Sequence, residues 1–244
     1  MKREYLVSKS NKLVSSNYDL SLQEQKIILT LVSLIDTTKD NSFNVYEMKI
    51  SEFCELVGLE NTNHTYIRKI TNKLMTRVVE IEEPERILQT HWLSSCEYMK
   101  NTGYIKLELH RELIPYLLQL KSKFTSYYLS NVLKMKSKYS IRLYEILKSH
   151  QYKREVKIEV EALKKMLKCE NYVKYANLKQ KVLDVAVKEI NSNTDLFVEY
   201  EPEKQGRKVW AVKFMLYSSF AVEAESWETK LDLDGTPYEQ RVLL

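Results

Sequence analysis

Apolar positions along the chain change period several times. Residues 21–36 (SLQEQKIILTLVSLID) carry apolar side chains at helical spacing, with Ser21 as N-cap and Glu24 as the other half of a capping box. Residues 43–50 (FNVYEMKI) alternate as a strand does. Residues 51–57 read as a short helix opened by Ser51 and stopped by Gly58, and 64–77 as a second helix. Strands follow near 87–98 and 103–109, joined at the turn sequence Asn101-Thr102-Gly103. Then the order returns. A helix over 137–149 precedes a strand at 155–160, a short helix at 161–168 and a long one at 174–192. Strands near 196–201 and 208–217 flank a turn containing Pro202 and Gly206.

Helix, strand, helix, helix, strand, wing turn and strand, run through twice, is the winged variant of the helix-turn-helix. At an offset of 110, Met48, Ile50, Phe53, Leu56 and Val57 align with Ile158, Val160, Leu163, Met166 and Leu167, and Glu60-Asn61 with Glu170-Asn171. A repeat of this length is a domain duplication, not a solenoid. The expected fold class is α+β, two tandem winged-helix domains over 1–115 and 116–220. An acidic, aperiodic tail at 221–244 is expected to be partly disordered or loosely packed.

At about 100° per residue, Tyr175, Leu178, Val182, Leu183, Val185, Ala186 and Ile190 share one arc of the long helix. Lys174, Asn177, Gln180, Lys181, Asp184 and Lys188 lie opposite. Lys179 falls in the apolar arc, which the wheel explains only if it snorkels past the core. In the first copy Ile67, Ile70, Leu74 and Val78 face inward, and Thr65, Arg68, Lys69, Asn72, Lys73 and Thr76 outward. Lys reaches phosphate or guanine, Asn and Gln match adenine, and Arg68 has the fork for bidentate guanine contact. The turn about Gly206 adds Lys204, Arg207 and Lys208, suited to a DNA backbone or minor groove. Ordinary solvated faces fit the same residues. The apolar hairpin of His91, Trp92, Leu93, Cys96, Tyr98 and Met99 fits a dimer edge or a wing folded onto its own domain.

Charge sharpens this picture. The 244 residues carry a net +5 and 44% apolar residues, enough for a core. Residues 1–110 hold 14 basic and 15 acidic side chains, 111–220 hold 22 and 12, and 221–244 hold 2 and 6. A net +10 over 111–220 points to a localised polyanion-binding face, or to a lysine-rich solvated surface.

Other chemistry is not indicated. The 4 Gly (Gly58, Gly103, Gly206, Gly235) are too scattered for a phosphate cradle. Cys54, Cys96 and Cys169 form no CxxC, which disfavours a disulfide framework or zinc ribbon and fits a reducing cytoplasm. The expected location is therefore cytoplasmic, with no signal peptide and no apolar run long enough to span a membrane. There is no HxH pair, HExxH, GxSxG or Walker A. Glu80, Glu82, Glu83 and Glu85 read as a solvated connection rather than a cation site. No cofactor, no metal and no enzymatic activity are expected.

Two blocks carry a family likeness. LVSKSNKLVSSNYDLSLQEQKIILTLVSLI (Leu6–Ile35) and KMKSKYSIRLYEILKSH (Lys134–His150) resemble the initiator replication proteins of iteron-containing, theta-replicating plasmids, with similarity over about residues 5–217. The resemblance implies tandem winged-helix domains that bind short direct repeats of double-stranded origin DNA. It also implies origin opening and recruitment of host initiator and helicase. A replication-active monomer would be in equilibrium with a homodimer that represses its own gene or limits copy number, and the first domain would supply the dimer interface. Carried onto this chain, the recognition helices are about Lys174–Asn191 and His64–Arg77. Ser137, Lys138, Ser140 and Arg142 would offer a helix N-terminus and cations to a phosphate. Alternatively, Tyr139, Ile141, Leu143 and Tyr144 of this block join the two domains. A dedicated transcriptional repressor of the same fold and a winged-helix protein-interaction module are the other readings.

Overall fold

A computed structural model describes residues 5–36, 40–59, 63–100 and 102–218. The chain opens with β1 (Leu6–Ser10), α1 (Asn11–Ser15), β2 (Asn17–Tyr18) and α2 (Leu22–Ser33). β3 (Tyr46–Lys49), α3 (Ile50–Val57) and α4 (His64–Met75) follow. Next come β4 (Val78–Glu82), β5 (Ile87–His91), β6 (Leu93–Tyr98) and β7 (Tyr104–Leu109). A 3-10 turn, α5 (Ile114–Leu117), β8 (Phe124–Tyr128) and α6 (Ser130–Leu133) lead to α7 (Lys138–Lys148). The second unit continues through β9 (Glu155–Glu159), α8 (Val160–Leu167), α9 (Tyr175–Leu178), a π turn (Lys179–Leu183), α10 (Asp184–Asn193), β10 (Leu196–Gln205) and β11 (Lys208–Ser218).

Both units are winged helices with one topology. In each, the short first strand pairs with the last strand of the wing, giving the orders β3-β7-β6 and β9-β11-β10, antiparallel throughout. The aligned pairs share their burial. Ile50 and Val160, Phe53 and Leu163, and Val57 and Leu167 are buried, whereas Met48 and Ile158, and Leu56 and Met166, are half-buried. The helix ends repeat as well. Leu59 N–H donates to Cys54 O at 2.8 Å and Cys169 N–H to Lys164 O at 3.0 Å, each across a left-handed residue, Gly58 (φ 71°) or Lys168 (φ 53°). This is a Schellman ending, stopping the first helix of each pair at the same place. Glu60-Asn61, Asn101 and the tail from 219 lie outside the described residues.

The start of α2 forms as expected, and the helix ends at Ser33, short of the expected 36. Ser21 N–H donates to Glu24 Oε2 at 2.8 Å and Glu24 N–H to Ser21 Oγ at 3.3 Å. The same carboxylate holds Arg77 Nε at 3.0 Å, fixing the end of α4 to the start of α2.

Three expectations are corrected. Val78 starts β4 and is exposed, because α4 ends at Met75. Glu80 and Glu82 are not on a connection. They alternate with buried Val79 and Ile81 on β4, whose hairpin with β5 is inserted into the first unit. The strand expected over 87–98 is two strands, broken at fully buried Trp92, which meets Tyr18 edge-on at 4.9 Å between ring centroids. With Leu93 also buried, the core of that hairpin folds onto its own unit, leaving His91 and Met99 exposed.

β8 pairs with β1, Leu6 opposite Tyr128, so the chain remains bound to its N-terminal strand well past the boundary expected at 115. Beneath this ribbon lies a buried charged network. Lys9 and Arg142, only 1% and 3% exposed, both pair with Glu145. Tyr127 OH donates to Glu145 Oε1 at 2.5 Å. Arg142 also donates to Tyr18 OH and, at 3.1 Å, to Ser16 O. Burial acts to raise the Glu145 carboxyl, but Lys9 and Arg142 outweigh it and hold it below the usual carboxylate value.

Two outcomes follow from these contacts. Lys168→Gly relieves a left-handed non-glycine residue and raises stability by about 1 kcal/mol, about 2–4 °C in Tm for a chain of this size, read by thermal melting. Glu145→Gln leaves two buried cations without a counter-charge and costs about 3–5 kcal/mol in denaturant titrations. Because the folded carboxyl titrates below its unfolded value, its contribution is complete above the ordinary carboxylate pKa and is lost as pH falls through the depressed one. The acid limb of the stability curve is therefore shallower in Glu145→Gln.

Candidate nucleic-acid interface

The second unit presents its face on one helix of three parts, α9, the π turn and α10. Leu178, Val182, Leu183, Ala186 and Ile190 are wholly buried against the core. Lys174, Asn177, Gln180, Lys181 and Lys188 are exposed. Among the described residues these five side chains make no ion pair or hydrogen bond.

The π turn resolves the anomaly at Lys179 and overturns one wheel position. It inserts an extra residue per turn, so a wheel at constant pitch drifts out of phase across it. Val185, expected inward, is exposed, and Lys179, expected among apolar neighbours, points outward. Lys179 Nζ meets Asp184 Oδ1 at 2.9 Å, five residues on, the spacing a π turn brings together. Tyr200 OH of β10 donates to the same carboxylate, and Lys179 Nζ lies 5.8 Å from the Tyr200 ring centroid. Burial acts to raise the Asp184 carboxyl, but Tyr200 and Lys179 prevail and lower it. Asp184 is thus exposed but engaged, tying the helix to the wing instead of facing outward unpaired.

The wing places Gly206 (φ 63°) and Arg207 between the paired residues Gln205 and Lys208. Positive φ at the first turn position alone is the type II′ pattern, which favours glycine there. Lys204, Arg207 and Lys208 are all exposed. The two acidic side chains of β10 nearest the tip are engaged, Glu203 with Lys157 at 2.5 Å and Glu201 with Lys213 at 3.6 Å. This pairing leaves the tip cationic.

In the first unit α4 buries Ile67, Thr71 and Leu74 and exposes Thr65, Arg68, Lys69, Asn72, Lys73 and Thr76. Thr71 Oγ1 and Tyr98 OH, 2.8 Å apart, join helix to wing. Thr76 Oγ1 donates to Lys73 O at 2.7 Å and so serves its own helix end. Between the start of α4 and the β6–β7 hairpin runs a groove of about 580 Å³ lined by His64, Thr65, Arg68, Tyr98, Lys100 and Gly103.

The α7 expectation fails at its centre. Ser140 is fully buried, and Arg142 is enclosed by Tyr18, Glu145 and Ser16, so neither reaches an external phosphate. The chain entering α7 is already served by an internal carboxylate. Glu189 of α10 accepts Lys136 N–H at 3.0 Å and Ser137 N–H at 3.2 Å, and Ser137 Oγ accepts Tyr139 N–H at 3.2 Å. Lys138 is engaged by Asp19 at 2.8 Å. The alternative reading of this block, as the join between units, is the one the contacts favour.

Two family models match the chain. One, described as "Initiator Replication protein, WH1", matches residues 6–148, and one described as "Initiator Rep protein, WH2" matches 159–216. The chain is similar to a replication initiation protein of Escherichia coli, 30% identical over 250 residues, covering 96% of this chain and 78% of the relative. It is also similar to the PI protein of Escherichia coli, 32% identical over 136 residues, 48% of this chain and 45% of that one. Among solved structures it shares a fold with the Pi initiator protein crystallised with iteron DNA, at a TM-score of 0.73 and 21% identity, over 90% of this chain and 99% of that one. Among the described residues no helix is long and apolar enough to cross a membrane.

Thermal melting separates the two kinds of cation. Arg142→Met leaves Tyr18, Ser16 and Glu145 short of a donor and lowers stability by about 3 kcal/mol. Arg207→Ala, at an exposed wing tip, stays within about 0.5 kcal/mol of the parent.

Proposed function

The chain belongs to the family of initiator replication proteins, and from that premise we propose that it binds short direct repeats of double-stranded plasmid origin DNA as a sequence-specific initiator. The observation that carries the reading is the unengaged face of Lys174, Asn177, Gln180, Lys181 and Lys188 beside a cationic wing tip, echoed on α4 by Arg68, Lys69, Asn72 and Lys73. An exposed helix in a winged unit enters the major groove, and its wing reaches the flanking backbone. The solved complex of the Pi initiator with iteron DNA supports the same use of this fold.

In this reading one monomer lays both recognition helices on neighbouring major grooves, about 20 bp in all. The second unit supplies most phosphate contacts, since from α7 to the end of β11 the chain (138–218) holds 17 basic against 11 acidic side chains. The first unit adds weaker contacts and the homodimer surface. Binding by the monomer opens the origin and recruits host initiator and helicase, and the dimer represses the initiator's own gene.

Selection of bound duplexes from a random library, followed by titration of the winner at several salt concentrations, tests this directly. A single enriched motif about two helical turns long is expected. A palindrome instead marks a dimeric repressor, and no enrichment removes DNA reading altogether. Replacing Lys174, Lys181 and Lys188 by Ala reduces the slope of log K against log salt by about 2.7, three phosphates at about 0.9 each. An unchanged slope takes this face off the DNA. Asn177→Ala relaxes base preference at one or two positions, costing about 1–3 kcal/mol on the cognate site with little change in slope.

A further inference from the structure

Val173 is the most exposed large apolar side chain in the described residues, 82% accessible, immediately ahead of the second recognition helix. A lone exposed valine is ordinary. This one differs in how it is held. Tyr172, before it, sets its ring edge-on to Tyr139 of α7 at 6.3 Å and donates its N–H to Cys169 O at 3.0 Å, where Cys169 is fully buried. Val173 N–H donates to Asn171 O at 3.1 Å. On the other side, half-buried Tyr175 opens α9 and packs on the core. The chain is anchored on both flanks, so the valine is displayed in a fixed position.

Nothing in folding calls for a valine there. The first unit caps its recognition helix with Asn63, whose Oδ1 accepts Thr65 N–H at 2.8 Å, whereas the N-cap position here is Lys174, one residue after Val173. In the second unit the helix start has no side-chain cap. Position 173 neither caps nor packs, and it stands next to Lys174 at the leading end of the face described above. The N-terminal residues of a recognition helix are those that meet base edges. In the major groove, the thymine C5-methyl is the apolar group a short aliphatic side chain can contact.

We propose that Val173 reads a thymine methyl in the bound repeat, adding an apolar contact to the polar ones of the helix. The proposal rests on the DNA-binding reading. Its test uses the full chain and the selected duplex, with each thymine replaced in turn by deoxyuridine, which removes only the methyl. The expected result is a loss of about fourfold in affinity at one thymine, the worth of one buried methyl-sized group. Val173→Ser loses a similar factor on the thymine duplex and shows no further loss on the deoxyuridine one. Asn177→Ala retains the deoxyuridine penalty, and both variants melt with the parent. Val173 is not the reader if no deoxyuridine weakens the parent, or if Val173→Ser keeps the full penalty. Failure to enrich any duplex would sink the DNA-binding reading itself, an outcome distinct from a duplex bound well and indifferent to every methyl.

Discussion

Glu145 receives Lys9 from β1, Arg142 from its own helix, and the Tyr127 and Tyr18 hydroxyls from β8 and β2. Three separate chain segments are thereby fixed to one turn of α7. A buried ion group of this kind adds little net stability compared with an apolar cluster, yet removing one partner is expensive. Its geometry accepts one arrangement of the ribbon, the β2 turn and the helix. Arg142, stacked 4.1 Å from the Tyr18 ring centroid, adds to that selectivity.

The same helix carries the second unit. At its start, the Glu189 carboxylate of α10 accepts the N–H groups of Lys136 and Ser137. At its end, Lys148 and Tyr144 hold Asp195, just beyond α10, at 2.5 and 2.8 Å. Gln25 and Lys26 of α2 reach across to the Lys138 and Leu133 carbonyls at 3.2 and 2.6 Å. α7 is thus the shared axle between the two outward faces. The distance between the two faces is a property of α7 and its contacts.

The duplication was legible because it rests on local rules. Burial periodicity, the capping box at Ser21, the stop at Gly58 and the wing turn at Gly206 each leave a signal within a few residues, although Pro202, expected in that turn, lies within β10 opposite Val212. Pairing across distance leaves none of that kind. Nothing near Leu6–Ser10 announces Phe124–Tyr128 as its partner, so the ribbon and its charged network were invisible. Arg142 and Ser140 show the cost. A cation near a helix start has the same local pattern whether a phosphate or an internal carboxylate awaits it, and only tertiary structure decides. The β4–β5 hairpin failed for another reason. Its Val79-Glu80-Ile81-Glu82 alternation was present, but the acidic run hid it.

The π turn is the most instructive of these departures, because its signal was present as an inconsistency. A wheel at constant pitch put Lys179 among apolar residues, and the structure answers by changing the pitch. The extra residue keeps Leu178 and Val182 on the core while turning Lys179 out to Asp184 and Tyr200. Such a bulge is less favourable than continuous α-helix and persists where packing on both sides demands it. Here the demand comes from two sides at once. The core fixes the buried residues, and the wing strand holds Asp184 through Tyr200. Helix and wing strand are therefore tied together at Asp184, just ahead of the exposed Lys188.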